Sequence, residues 1–182
     1  MKLLALLSLL APLAANAMSI TYDVSRSVGI GTVMGTITTD GTIGTLGAAN
    51  LTAWDLVLND GTDSSGLNSA NAFNSLFFSS DTPLTATQGA LFWNWGTTSG
   101  AIMTFLYSES PTEWRWELSD VFGGELVSHS TNNAVAHQEL QSRSGLTQIA
   151  TAQATALPEP GTLGLALIGL AGLSFTRKRK QR

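Results

Sequence analysis

Cysteine is absent from the 182-residue chain, and charge is scarce, with only 12% of residues being Asp, Glu, Lys or Arg. The first absence excludes disulfides, thiolate zinc sites, iron–sulfur clusters, a cysteine nucleophile and a lipobox lipid anchor together. Positive charge is scarcer still once the two ends are set aside. Five of the nine basic residues crowd into the last six positions (Arg177, Lys178, Arg179, Lys180 and Arg182), and Lys2 opens the chain. Residues 18–157 keep three, Arg26, Arg115 and Arg143, against twelve acidic residues, a net charge of −9. An acidic surface of that kind disfavours nucleic acid and anionic lipid, so no nucleic-acid partner is expected. Catalytic signatures are missing as well: there is no Gly-x-Ser-x-Gly, no Ser-x-x-Lys, no P-loop and no His-Glu-x-x-His. The 18 glycines follow no triplet repeat, which excludes collagen.

What is present is enough apolar material for one core, 43% of the chain, with a mean hydropathy of +0.16. Both ends carry addresses. Lys2 is followed by an apolar run from Leu3 to Leu13, broken only by Ser8 and Pro12, and then by the small-x-small sequence Ala15-Asn16-Ala17. This order reads as a secretory signal peptide over residues 1–17, with Ala15 and Ala17 as the positions read by signal peptidase. The other end has three parts: Pro158-Glu159-Pro160, an apolar stretch over 161–176, and the basic cluster 177–182. Proline suits the first turn of a helix, where its missing N–H is not needed. A helix over 161–176 is about 24 Å long at ~1.5 Å per residue, a marginal span for a hydrocarbon core of about 30 Å. Basic side chains that snorkel to the headgroups extend its reach. The cluster belongs on the cytoplasmic side, which puts residues 18–157 outside.

This tail resembles the PEP-CTERM sorting signal of exported bacterial proteins, in Pro158, Glu159 and Pro160, the short apolar span, and Arg177 to Arg182. The resemblance implies recognition by an exosortase, a membrane-embedded cysteine protease or transpeptidase, and processing near the Pro-Glu-Pro segment. Leu157-Pro158-Glu159-Pro160-Gly161 also approaches the Leu-Pro-x-Thr-Gly pattern of soluble-type sortases, but Pro160 stands in place of the threonine. A second stretch, Gly31 to Leu58, resembles a segment of other exported proteins that carry this tail, and it implies no chemistry.

Between the ends, Thr, Ser, Gly, Val and aromatics dominate, a composition of strands and turns. In Glu113-Trp114-Arg115-Trp116-Glu117-Leu118 every second residue is apolar, so Trp114, Trp116 and Leu118 share one face of a strand. Strands are also expected over Trp54–Leu58, Leu91–Trp95, Ala101–Tyr107 and Val33–Thr38, the last ended by a hairpin-type Asp40-Gly41 signal. Turns are expected at Asn59-Asp60-Gly61, Ser65-Gly66, Asp81-Thr82-Pro83, Ser99-Gly100, Ser110-Pro111 and Gly123-Gly124. One helix is expected over Asn133–Gln141. The fold class is therefore all-β, an antiparallel β-sandwich or jelly-roll-like ectodomain, flanked by the signal peptide and a single C-terminal transmembrane helix. The divisions are 1–17 signal, 18–141 exported domain, 142–157 last strand or stalk, and 158–182 sorting tail.

Chemistry is sparse. His129 and His137 are eight residues apart; on a helix they stand about 12 Å apart along the axis and cannot share a zinc ion. Asp60-Gly61-Thr62-Asp63-Ser64-Ser65-Gly66 offers oxygen ligands but departs from the calcium loop of an EF-hand, and reads as a plain loop. Glu113 and Glu117 share a strand face about 13 Å apart at ~3.3 Å per residue, beyond the roughly 5–9.5 Å of glycosidase pairs. With Arg115 they read as a surface ion-pair ladder. Trp93, Trp95, Trp114 and Trp116 form either a platform for sugar rings or part of a core. No cofactor and no metal is expected.

The sequence thus points to a non-enzymatic protein exported through the inner membrane. It passes through a single-pass membrane intermediate and ends at the cell surface or in the extracellular matrix, with a structural or adhesive role. Its partners are signal peptidase and the secretion machinery, exosortase, the membrane, and extracellular polysaccharide. Two other readings stay open: a carbohydrate-binding module built on the paired tryptophans, and a hydrolase of unrecognised type.

Overall fold

The computed structural model of the protein describes residues 18–79, 83–96 and 100–154. The signal segment 1–17, the Pro158-Glu159-Pro160 motif, the apolar run 161–176 and the basic cluster 177–182 lie outside the described residues, as do Asp81, Thr82 and Ser99 of two expected turns. Among the described residues no helix is long and apolar enough to cross a membrane.

Alternation of apolar and polar residues, with glycine or asparagine at the corners, produces strands almost throughout. In chain order they are β1 (Ile20–Val28), β2 (Gly31–Thr39), β3 (Gly44–Thr45), β4 (Leu51–Asn59), β5 (Ser64–Asn68), β6 (Asn74–Phe78) and β7 (Leu84–Ala86). Then come β8 (Ala90–Trp95), β9 (Ile102–Glu109), β10 (Thr112–Ser119), β11 (Gly124–Thr131), β12 (Ala134–Ser142) and β13 (Gly145–Ala152). Eight form one sheet in the order β3-β7-β8-β13-β1-β2-β4-β5, and five form a second in the order β12-β11-β10-β9-β6. Every pairing is antiparallel.

The two sheets share one core. Tyr22, Val24, Ile37, Leu56, Leu58, Leu91 and Trp93 of the larger sheet and Met103, Phe105, Trp116 and Val127 of the smaller belong to a single buried cluster. Trp54 meets Phe105 edge-on at 5.6 Å between ring centres, a contact from one sheet to the other. This is the all-β, two-sheet arrangement that the alternation implies. The thirteen strands of the described residues exceed the eight of a jelly roll.

Three local expectations are corrected. Asn133–Gln141 is not a helix: Asn133 lies in a turn, and residues 134–141 are most of β12, an edge strand paired with β11. The turn before it holds Asn132 and Asn133 at φ 53° and 61°, the left-handed pair that a tight hairpin needs and that asparagine tolerates. Asp40-Gly41 does not close a hairpin. Asp40 Oδ1 accepts the Thr42 N–H at 2.9 Å and its backbone N–H bonds Asn50, which steers the chain to β3, paired with β7 at the far edge. Ser65-Gly66 is not a turn, because both residues lie inside β5.

The expected last strand is β13, and it is not at an edge. It is bonded to β8 on one side and β1 on the other, so the segment that precedes the sorting tail is anchored in the interior of the larger sheet.

Candidate functional site

The densest polar constellation lies where β11 and β12 face the β1–β2 hairpin. Register puts it there. Glu125 pairs with Leu118, Val127 with Trp116 and His129 with Trp114 across β10, so all three project from the core-facing side of β11. On β12 the partners are Gln141, Glu139 and His137. The histidines that a helix would hold apart are therefore direct cross-strand neighbours, brought together by the hairpin.

Glu125 is fully buried. Arg26 donates to it from Nε at 3.0 Å and from Nη2 at 2.5 Å, and Arg143 donates from Nε at 2.6 Å. The same arginines reach main-chain oxygens of Gln148 and Ser27, both at 2.8 Å. Two of the three arginines of the body thus serve one carboxylate, and the pairing ties β11 to β1 across the core. One turn of the ladder away, Glu139 accepts the Ile30 N–H at 3.0 Å and meets His137 Nε2 at 3.0 Å. Gly29, at φ 58°, leaves room for it; a Cβ there would stand 1.9 Å from the Glu139 carboxylate.

Asp60 lies at the end of β4 with no exposed surface. Its Oδ1 accepts hydrogen bonds from the Thr62 N–H and hydroxyl and the Asp63 N–H, at 2.8, 2.7 and 2.8 Å. Burial works against its charge, but the bonds from Asp63 and Thr62 and the nearby His137 outweigh it and hold the carboxyl below the ordinary aspartate range. Its Oδ2 is buried without a hydrogen bond, 3.7 Å from His129 Nδ1. Residues 60–63 of the Asp60–Gly66 segment are thus a turn folded around its own aspartate, with that carboxylate facing inward, and Ser64 to Gly66 already belong to β5.

His129 lies flat on Trp114, with ring centres 4.4 Å apart at 6°, and its Nε2 is 3.2 Å from Thr131 Oγ1. Hydroxyl, imidazole and carboxylate therefore fall in the order of a nucleophile, base and orienting acid. The geometry stops short of a relay: 3.7 Å is beyond hydrogen-bond reach, and the hydroxyl belongs to a threonine two residues along the same strand. Among the described residues no group of three or more His, Asp or Glu side chains is placed to hold a metal ion.

The tryptophan platform is corrected. Trp93 and Trp116 have no exposed surface and Trp95 and Trp114 are each 4% exposed. Trp116 stacks on Phe105 at 5.3 Å, and Trp93 packs against Trp95 at 5.7 Å. Alternation fixed which residues share a face; the opposing sheet covers that face, so none of these four tryptophan rings is free to stack on a sugar. The ion-pair ladder shrinks to one rung. Arg115 lies 3.6 Å from Glu117 and donates to Ser128 Oγ at 2.9 Å, while Glu113 stands apart.

Residues 156–180 match the PEP-CTERM protein-sorting motif. That span contains Pro158, Glu159, Pro160 and most of the basic cluster. The motif implies export, exosortase-mediated processing and a destination at the cell surface or outside the cell. No curated protein and no solved structure matches the chain.

Proposed function

We infer that the protein is a non-enzymatic component of the cell surface or extracellular matrix, with a structural or adhesive role, delivered by its tail. The observation that carries this reading is the order of parts: a two-sheet body followed directly by the PEP-CTERM motif. In this account the signal peptide directs export and the apolar run makes a single-pass membrane intermediate. Exosortase then processes the chain near Pro158-Glu159-Pro160, and extracellular polysaccharide is the matrix that receives it.

The disposition of polar groups supports a structural role. The carboxylates with the best-defined partners serve the fold: Glu125 with two arginines and Glu139 with Ile30 and His137 tie the sheets together, and Asp60 holds its own turn. An acidic body with two sheets fused by one core suits a passive, soluble and proteolytically resistant module. Comparing producing cells with and without the chain in a cell-cohesion assay tests the role. Loss of cohesion, restored by the full chain and not by a chain lacking residues 156–180, is expected. Unchanged cohesion contradicts it.

A further inference from the structure

We propose that a cleft at one end of the five-stranded sheet, between its two adjacent hairpin turns, binds a neutral saccharide. The cleft encloses about 460 Å³, within the range of small-molecule sites. Its floor is the outward face of three strands. Glu113 of β10 sits between its cross-strand partners Ser108 of β9 and Ser130 of β11. Its walls are the turn at Ser110 and the turn at Asn132 and Asn133, joined by a hydrogen bond from the Asn132 N–H to the Pro111 carbonyl at 2.8 Å.

The chemistry of this lining is that of a polyol site. Hydroxyls and amides both give and accept hydrogen bonds, as sugar hydroxyls do, and a carboxylate can accept from two adjacent hydroxyls at once. Among the described residues, none of these side chains is engaged by another: Glu113 has no ion pair, and neither the serines nor the two asparagines make a side-chain hydrogen bond. Elsewhere in the fold the carboxylates Glu117, Glu125 and Glu139 are each paired. Glu113 is thus an acceptor held in place by the sheet and left open to the cleft. A body of net charge −9 with a carboxylate in the floor repels acidic sugars, and the hydroxyls and amides of the lining suit the neutral ones proposed here. The two asparagines owe their placement to positive φ, so the turn that shapes the wall also presents the amides.

This proposal rests on the adhesive reading and deepens it by naming what is held. The test is binding of the full chain, solubilised in detergent, to an array of neutral gluco-, galacto- and manno-oligosaccharides and acidic oligosaccharides. Neutral sugars are expected to bind. Glu113→Gln is expected to weaken binding about tenfold or more. The double change Asn132→Gly and Asn133→Gly, which preserves the backbone the turn requires, is expected to weaken it comparably. Asp55→Asn, exposed on the other sheet, should leave binding unchanged. The proposal is overturned if folded protein binds no neutral sugar, if it prefers acidic ones, or if Glu113→Gln binds as well as the parent. A chain processed at its tail that binds no sugar overturns the cleft alone, whereas a chain that binds but keeps its tail contradicts the delivery reading instead.

Discussion

Arg26 on β1 grips both carboxylate oxygens of Glu125 on β11, at 3.0 and 2.5 Å, through the side of the core where the two sheets would otherwise part. Glu125 has no exposed surface and Arg143 shares its Oε2. Removing the carboxylate leaves two partly buried cations facing each other without a counter-charge. Glu125→Ala is expected to cost about 3–5 kcal/mol. Urea unfolding followed by tryptophan fluorescence measures it, and a loss below about 1 kcal/mol contradicts a locking role.

Asp60 gives a pH dependence of definite sign. Its folded carboxyl titrates below the ordinary aspartate range because hydrogen bonds from Asp63 and Thr62, with His137 nearby, outweigh its burial. A depressed carboxylate contributes stability that is complete above the unfolded value and disappears as pH falls through the folded one. Asp60→Asn should therefore flatten the acid side of the stability curve below about pH 4. At neutral pH Asp60→Ala should cost about 1–3 kcal/mol by orphaning the turn's donors. Equilibrium unfolding of parent and variants across acid pH decides; parallel curves contradict the assignment.

The β11–β12 hairpin depends on two residues in left-handed geometry, Asn132 and Asn133. Changing both to alanine is expected to cost about 1–2 kcal/mol per position, while changing both to glycine costs little. Thermal melts of the two double variants should separate them clearly. Equal melting temperatures would mean that the turn is not what holds β12 in register.

The tryptophans are predicted to be core. Trp116→Ala and Trp93→Ala should each destabilise the fold by about 3–5 kcal/mol, since both rings are fully buried. A variant at either position that keeps parental stability yet loses sugar binding would restore the platform reading.

Some of this was legible in the sequence. The alternation of Glu113 to Leu118 placed β10 correctly, and Leu91 to Trp95 placed β8, because long apolar side chains at a period of two leave little ambiguity. β12 was not legible. Its edge position leaves Ala134, Val135, Ala136 and Leu140 exposed, so no apolar stripe marked its face, and only the Asn-Asn pair signalled the hairpin. The His129–His137 pairing and the Glu125 lock depend on register between distant strands, which local pattern does not carry. The cleft at Glu113 was hidden for the same reason. Its serines and asparagines are ordinary turn residues until two hairpins are set side by side.

The central claim is that the carboxyl-terminal segment is a sorting tail and the two-sheet body is what arrives outside. Intact-mass measurement of the protein recovered from the surface of exosortase-bearing cells tests it most directly. The account predicts a chain that begins at Met18, ends near Pro158-Glu159-Pro160 and lacks Arg177 to Arg182. A surface-recovered chain whose mass still includes Arg182 contradicts it.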